Sequence, residues 1–223
     1  MKNSRNFLAA TLCGVAFLVA PLSSNAQLFS ENFENGLSQW TGNSGGSSSA
    51  VTVADPLNSG HGMVLALTTI TLGGDIFSAN PLSFQGSYQV SFDYLGRPGL
   101  GGVPGDLGGF MGFSDSLHPV YQYVDHFWFA GTIDGYGGLS TTLIDDGAWH
   151  HYSITVPGTF VGPHYLMIED YDGSGGVAGD ALFDNIVVAP VPEPSLSALV
   201  LPGLLLGVLR IKNNRAFPRG RKL

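Results

Sequence analysis

Ser87-Tyr88-Gln89-Val90-Ser91-Phe92-Asp93-Tyr94-Leu95 is the stretch that decides the fold class. Tyr88, Val90, Phe92 and Tyr94 recur at every second position and Gln89, Ser91 and Asp93 fill the places between, so an extended chain carries all the large apolar groups on one side. A helix, with its period of 3.6, would scatter them around its axis. Trp149–Val156 repeats the pattern, with Tyr152, Ile154 and Val156 pointing one way and His151, Ser153 and Thr155 the other.

Outward from these two segments, strands are expected at Leu28–Phe33, Val51–Ala54, Met63–Thr71, Phe110–Phe113, Val120–Ala130, Thr141–Ile144, Tyr165–Asp170 and Leu182–Val188. Gly, Asn, Asp and Ser punctuate residues 27–191 every few positions, and no long apolar stripe of helical spacing runs through them. Gly96–Gly109 holds seven glycines and two prolines and is expected to be a long loop, as is Gly42–Ser49. About ten short strands between turn clusters predict an all-β fold, an antiparallel β-sandwich of the jelly-roll kind.

The two ends of the chain read differently. Lys2 and Arg5 precede an apolar run from Phe7 to Leu22, and Ser24-Asn25-Ala26 offers small residues at a cleavage site, so residues 1–26 are expected to be a signal peptide. The one cysteine, Cys13, lies inside it, which leaves residues 27–223 without disulfides, thiolate metal ligands or a cysteine nucleophile. At the other end, residues 189–194 form a proline-dense linker, residues 195–211 a short apolar segment expected to be a membrane helix, and residues 212–223 a basic tail on the cytoplasmic side. The charge-free part, Ser195 to Leu209, would span about 22 Å as a helix, against a hydrocarbon layer of about 30 Å, so it is marginal as an anchor. Between these ends, 27–188 is expected to be one sandwich domain.

Charge is partitioned just as unevenly. Residues 27–191 contain sixteen of the seventeen acids and a single base, Arg97, a formal charge of −15, while six of the nine Lys and Arg residues crowd into 210–223. Nucleic acid is excluded as a partner, because phosphate contacts need clustered Lys and Arg.

Pro192-Glu193-Pro194, the short apolar segment and Arg210 resemble the bacterial PEP-CTERM sorting signal. The resemblance covers about the last 32 residues. It implies a Gram-negative source, transient residence in the inner membrane, recognition by an exosortase-type processing enzyme, and delivery to the cell surface or an exopolysaccharide matrix. A plain single-pass C-terminal anchor is the alternative.

The domain itself is similar to galactose-binding-like and carbohydrate-binding jelly rolls. The likeness is carried by Glu31-Asn32-Phe33-Glu34-Asn35-Gly36 leading to Trp40, by Gly60-His61-Gly62-Met63-Val64-Leu65, by Trp149-His150-His151-Tyr152 and by Leu182-Phe183-Asp184-Asn185-Ile186; Trp149-His150-His151 is also similar to laminin-G-like sandwiches. The resemblance implies a structural Ca²⁺ where the first and last strands meet. By position it nominates Glu31, Glu34 and Asp184, with backbone carbonyls near Asn58–Gly60; the alternative is that these carboxylates cap turns and strand ends. Asp170-Tyr171-Asp172-Gly173-Ser174-Gly175 matches half of a calcium loop but has Ala181 where the bidentate acid belongs, and reads as an acidic hairpin loop.

Ring faces stack on pyranose C–H surfaces, so the aromatic-rich segment Val120–Ala130 and Tyr136 supply the sugar-contact candidates: Tyr121, Tyr123, Trp128 and Tyr136. On a regular strand Tyr121, Tyr123 and Phe127 share one face and Trp128 the other. No nucleophile elbow, P-loop or HExxH occurs, and the adjacent His150 and His151 would point to opposite faces. The expectation is therefore a non-catalytic, surface-sorted domain that binds or organises extracellular polysaccharide. A purely structural adhesion or biofilm-matrix protein and a secreted glycan hydrolase are the alternatives.

Overall fold

A computed structural model describes residues 27–42, 50–68, 76–97, 108–117, 126–132, 141–158, 162–170 and 180–191, all inside one compact unit, Asn25–Val191. The expected signal peptide, apolar C-terminal segment, Pro192-Glu193-Pro194 motif and Arg210 lie outside the described residues. Among the described residues no helix is long and apolar enough to cross a membrane.

Thirteen strands are described: β1 (Phe29–Glu31), β2 (Trp40–Gly42), β3 (Ala50–Ala54), β4 (Met63–Leu67), β5 (Ile76–Ser78), β6 (Leu82–Phe84), β7 (Tyr88–Gly96), β8 (Gly109–Ser114), β9 (His126–Gly131), β10 (Thr141–Thr142), β11 (Trp149–Val156), β12 (Gly162–Asp170) and β13 (Ala181–Pro190). They form two sheets. The first runs β11-β7-β13-β4-β3, with β1 also on β13; the second runs β10-β9-β8-β12-β5-β2, with β6 on β12. Among the described residues the class is all-β, as the alternation predicts, and every pairing is antiparallel except β9 with β10, where Thr141 lies beside Ala130 in parallel.

The nine residues that open the sequence reading become β7, in register with β11 from Trp149↔Leu95 to Val156↔Tyr88. Tyr88, Val90, Phe92 and Tyr94 point inward. They join Ile154 and Val156 of β11, Phe183, Ile186 and Val188 of β13, and Leu65 and Leu67 of β4 against the second sheet's Met111, Phe113, Phe129, Leu166 and Ile168. Burying each such side chain contributes about 1.5–3 kcal/mol, which is why the period-two pattern governs the fold. Phe92 stacks on Tyr152 across the pair, and within the second sheet Phe84 meets Phe113 edge-on.

Three differences from the sequence reading have local causes. The first expected strand stops at Glu31, because Phe33 turns to φ 57° and Gly36 to φ 78°. Phe33 is nonetheless fully buried, stacked on Trp40 at 5.9 Å, so the turn delivers a ring to the core. The last strand runs to Pro190, two residues into the expected linker. Pro190 pairs with Tyr88, a position tolerated because it lies at the strand's end where a missing amide costs one bond at most. Finally β2, β5 and β6 were not predicted; each has three residues, too few to display a period.

Both ends of the described chain sit at one end of the first sheet, where Leu28 N–H donates to Val188 O and Val191 N–H to Ser87 O. Gly96, Trp149 and Ala181 lie at the other.

Candidate functional site

Strand register places the polar residues of β11, β7 and β13 in rows across the outer face of the first sheet. His151 lies opposite Asp93, Ser153 opposite Ser91 and Thr155 opposite Gln89; Asp93 in turn lies opposite Asp184. Gln89, His151, Ser153 and Thr155 are exposed and Ser91 and Asp93 partly so. Gln89 Nε2 donates to Ser153 Oγ at 2.7 Å. A bulge between Asp184 and Val187, with Asn185 at φ 50°, turns Asn185 out beside Asp184 while Ile186 returns to the core. Asn185 Nδ2 donates to Asp93 Oδ2 at 2.7 Å.

Two histidines converge on the carboxylates. His151 Nδ1 is 2.7 Å from Asp93 Oδ1, and His61 Nδ1 is 2.9 Å from Asp184 Oδ2 and 3.8 Å from Asp93 Oδ2. Burial pushes the Asp184 carboxyl above its usual range, against the pull of His61, and the Asp93 charge adds to the rise. Asp184 Oδ1 is buried without a hydrogen-bond partner.

The ring of His61 stacks on Trp149, centroids 4.1 Å apart and 21° between planes. Trp149 Nε1 donates to Asp55 Oδ1 at 3.0 Å, and the same carboxylate accepts from Leu57 N–H at 3.0 Å, from Ser59 N–H and from Ser59 Oγ at 2.8 Å. Burial raises the Asp55 carboxyl, but these donors outweigh it and hold the group far below the ordinary carboxylate range. Asp55 thus ties segment 55–62 to β11, over the apolar cluster of Val64, Ala66, Leu95 and Leu182. Glu34 Oε1 fixes the other side of that segment by accepting from Met63 N–H at 2.9 Å. Gly62, at φ 68°, lies so close to Glu34 Oε1 that a Cβ there would collide with it.

The carboxylates nominated for calcium serve three separate sets of partners. Glu31 Oε1 accepts from the Asn32 and Phe33 amides at 3.0 and 2.9 Å, and Oε2 from Gln39 Nε2 and Trp40 Nε1 at 3.2 Å each, the bonding of a turn cap. Glu34 holds Met63, and Asp184 holds His61. Among the described residues no group of three or more His, Cys, Asp or Glu is arranged to hold a metal ion. The first and last strands do pair, Phe29 with Val188.

Of the sugar-contact aromatics, Tyr121, Tyr123 and Tyr136 lie outside the described residues. Trp128 is 4% exposed and packs edge-on against Phe110, beside Phe77 and Met167, so its ring is engaged in packing. The sequence reading did not nominate Asp93, Asn185, His61, His151, Trp149 or Asp55. The outward positions of Asp93 and His151 are visible in the alternation of their strands. Their meeting is not, because it needs the pairing of segments about sixty residues apart. His150 does point away from His151 and bonds Asp146 at 2.9 Å.

No protein-family model matches the chain, and neither does any curated protein. Solved structures do resemble it. The K3 cleaved adhesin domain of Lys-gingipain from Porphyromonas gingivalis is 15% identical with a TM-score of 0.48, over 75% of this chain and 99% of that one. The CBM22-1 xylan-binding domain from Paenibacillus barcinonensis is 18% identical with a TM-score of 0.44, over 76% and 97%. A C-terminal family 22 carbohydrate-binding module of Clostridium thermocellum is 14% identical with a TM-score of 0.43, over 76% and 98%. At these levels the similarity assigns neither a family nor a ligand to this chain.

Proposed function

We propose that the chain is an exported, non-catalytic β-sandwich that binds extracellular polysaccharide through the outer face of β11, β7 and β13. One observation carries the reading: that face is an open row of Gln89, Ser91, Asp93, His151, Ser153, Thr155 and Asn185, bounded at one end by the stacked rings of Trp149 and His61. Hydroxyl-rich ligands are recognised by such donors and acceptors beside a ring. The formal charge of −15 on 27–191 favours neutral or cationic glycans over uronic-acid polymers.

Export and sorting belong to the same proposal. The basic cluster at 210–223, the apolar segment before it and Pro192-Glu193-Pro194 support passage through the inner membrane and handling by an exosortase-type enzyme, ending at the cell surface or in the matrix. The chain leaves the domain at Val191, beside the start of β7, whereas Asp184 lies seven residues back along β13, about 20 Å away.

The test is retention of the purified full chain on a panel of immobilised neutral and amino-sugar polysaccharides, with Gln89→Ala/Ser153→Ala as the comparison. Retention that the double variant loses while melting normally is expected. Failure of every neutral and every amino-sugar polysaccharide to retain the wild type would refute the reading and leave a purely structural matrix role. Release of reducing sugar would promote a hydrolase.

A further inference from the structure

We infer that the open edge of β11 pairs with the same edge of a second copy of this chain, antiparallel about a two-fold axis at Ser153, joining the first sheets of two copies into one. The inference is independent of the sugar reading, because the joint uses the backbone edge of β11 and leaves its outer face open.

A strand at the end of a sheet presents unpaired N–H and C=O groups, a template for another strand, and proteins ordinarily blunt it with short length, proline, lysine or a bulge. Of the four sheet ends described, β3 has five residues, β2 three and β10 two. β11 has eight, in unbroken register with β7 from Trp149 to Val156, and contains no proline and no Lys, Arg, Asp or Glu. Among the described residues no strand pairs with its other edge. The usual devices against strand addition are therefore missing from the longest of these ends.

A second feature marks the same edge. The Tyr152 ring stacks on Phe92 of β7 at 5.4 Å, so its other flank lies toward the open side of β11, and the ring is only partly buried. Its hydroxyl accepts from Ile144 N–H at 2.7 Å, and Ile144 is 48% exposed. A strand added beside β11 removes more of this ring from water.

The strand is complementary to itself. Directly opposite residues of an antiparallel pair share a face, so only registers that match inward with inward positions are allowed. An axis at Ser153 sets that residue opposite its own counterpart, His151 opposite Thr155, Tyr152 opposite Ile154 and His150 opposite Val156 of the other copy. Hydroxyl pairs and aromatic with β-branched pairs are favourable in this relation, and no two carboxylates meet. An axis at Tyr152 would instead oppose two rings, each already stacked on its own Phe92. Residues 150–156 of both copies then form about six to eight backbone hydrogen bonds. Between two domains that each carry −15 over residues 27–191, an acid-free strand is where close approach costs least.

Sedimentation velocity of the full chain in mild detergent tests the assignment. Monomer is expected to pass to dimer as concentration rises through about 0.1 mM, and the dimer should tighten at least about three-fold between roughly 0.05 and 0.5 M salt as the acidic domains are screened from each other. Ser153→Glu and Ser153→Lys each set like charges opposite at the axis and should each weaken the dimer about five-fold, whereas an equimolar mixture of the two restores it. Where a charged variant melts abnormally, Ser153→Cys in a Cys13→Ser background serves: under mild oxidation it should cross-link two copies, the paired Cα atoms lying about 5 Å apart, while Thr155→Cys should not. A monomer at every concentration overturns the inference. So does a dimer that Ser153→Glu leaves unchanged, as association through the apolar C-terminal segment would be. Cross-linking at Thr155 equal to that at Ser153 overturns the axis.

Discussion

Asp55, like Glu31, accepts four hydrogen bonds. It receives two backbone amides, a serine hydroxyl and the Trp149 indole. Replacing it by Ala strands the indole N–H and both amides, at a cost of about 2–3 kcal/mol, read as a lower urea midpoint with unchanged slope. Its folded pKa lies below the ordinary 3.8, so the stabilisation is complete above that value and is lost as pH falls beneath it. The melting temperature of the wild type should therefore drop below about pH 4, and Asp55→Ala should lack part of that drop. Asp184 has the opposite sign. Its raised pKa means that its ionisation, as pH climbs from 3.8, erodes stability, and Asp184→Asn should be at least as stable as the wild type at pH 7. A loss above about 1 kcal/mol would show that the His61 bond outweighs the repulsion from Asp93. Asp184 was legible in the sequence as a residue of interest, but for calcium rather than for a carboxylate pair. Asp55 was not legible, since its value comes from an indole 94 positions away.

At the scale of elements, alternation carried most of the information that the sequence could yield. It gave β7 and β11 their inward faces, because four apolar side chains in period two can be buried together only on a strand. It could not give the bulge in β13, which depends on Asn185 adopting φ 50°, or the parallel neighbour of β9. Glycines mark further places where pairing, and no local pattern, sets the residue. Gly112 stands at the irregularity between β8 and β9, and a Cβ there would lie 2.3 Å from the Phe127 carbonyl oxygen. Since backbone cannot rotate away as a side chain can, Gly112→Ala should cost at least about 2 kcal/mol, measured by chemical denaturation. Gly86→Ala, whose Cβ would meet nothing within 4 Å, is the control and should change stability by less than about 1 kcal/mol.

Over the whole molecule, charge and polarity of the chain point the same way. Within residues 27–191, sixteen acids facing one base repel one another through solvent, and raising ionic strength from 0.01 to 0.15 M shortens the screening length from about 30 to about 8 Å. The melting temperature should rise over that range; a fall would mean that attractive pairs dominate. Both ends of the described chain lie at one end of the first sheet, and Gly96, Trp149 and Ala181 lie at the other. The most direct measurement of the central claim is hydrogen–deuterium exchange on the full chain with and without a bound oligosaccharide. Protection is predicted in peptides covering 89–95, 149–155 and 182–189, with none in 163–167 of the second sheet. Protection confined to the second sheet, or none anywhere under saturating ligand, would contradict the assignment of the β11-β7-β13 face.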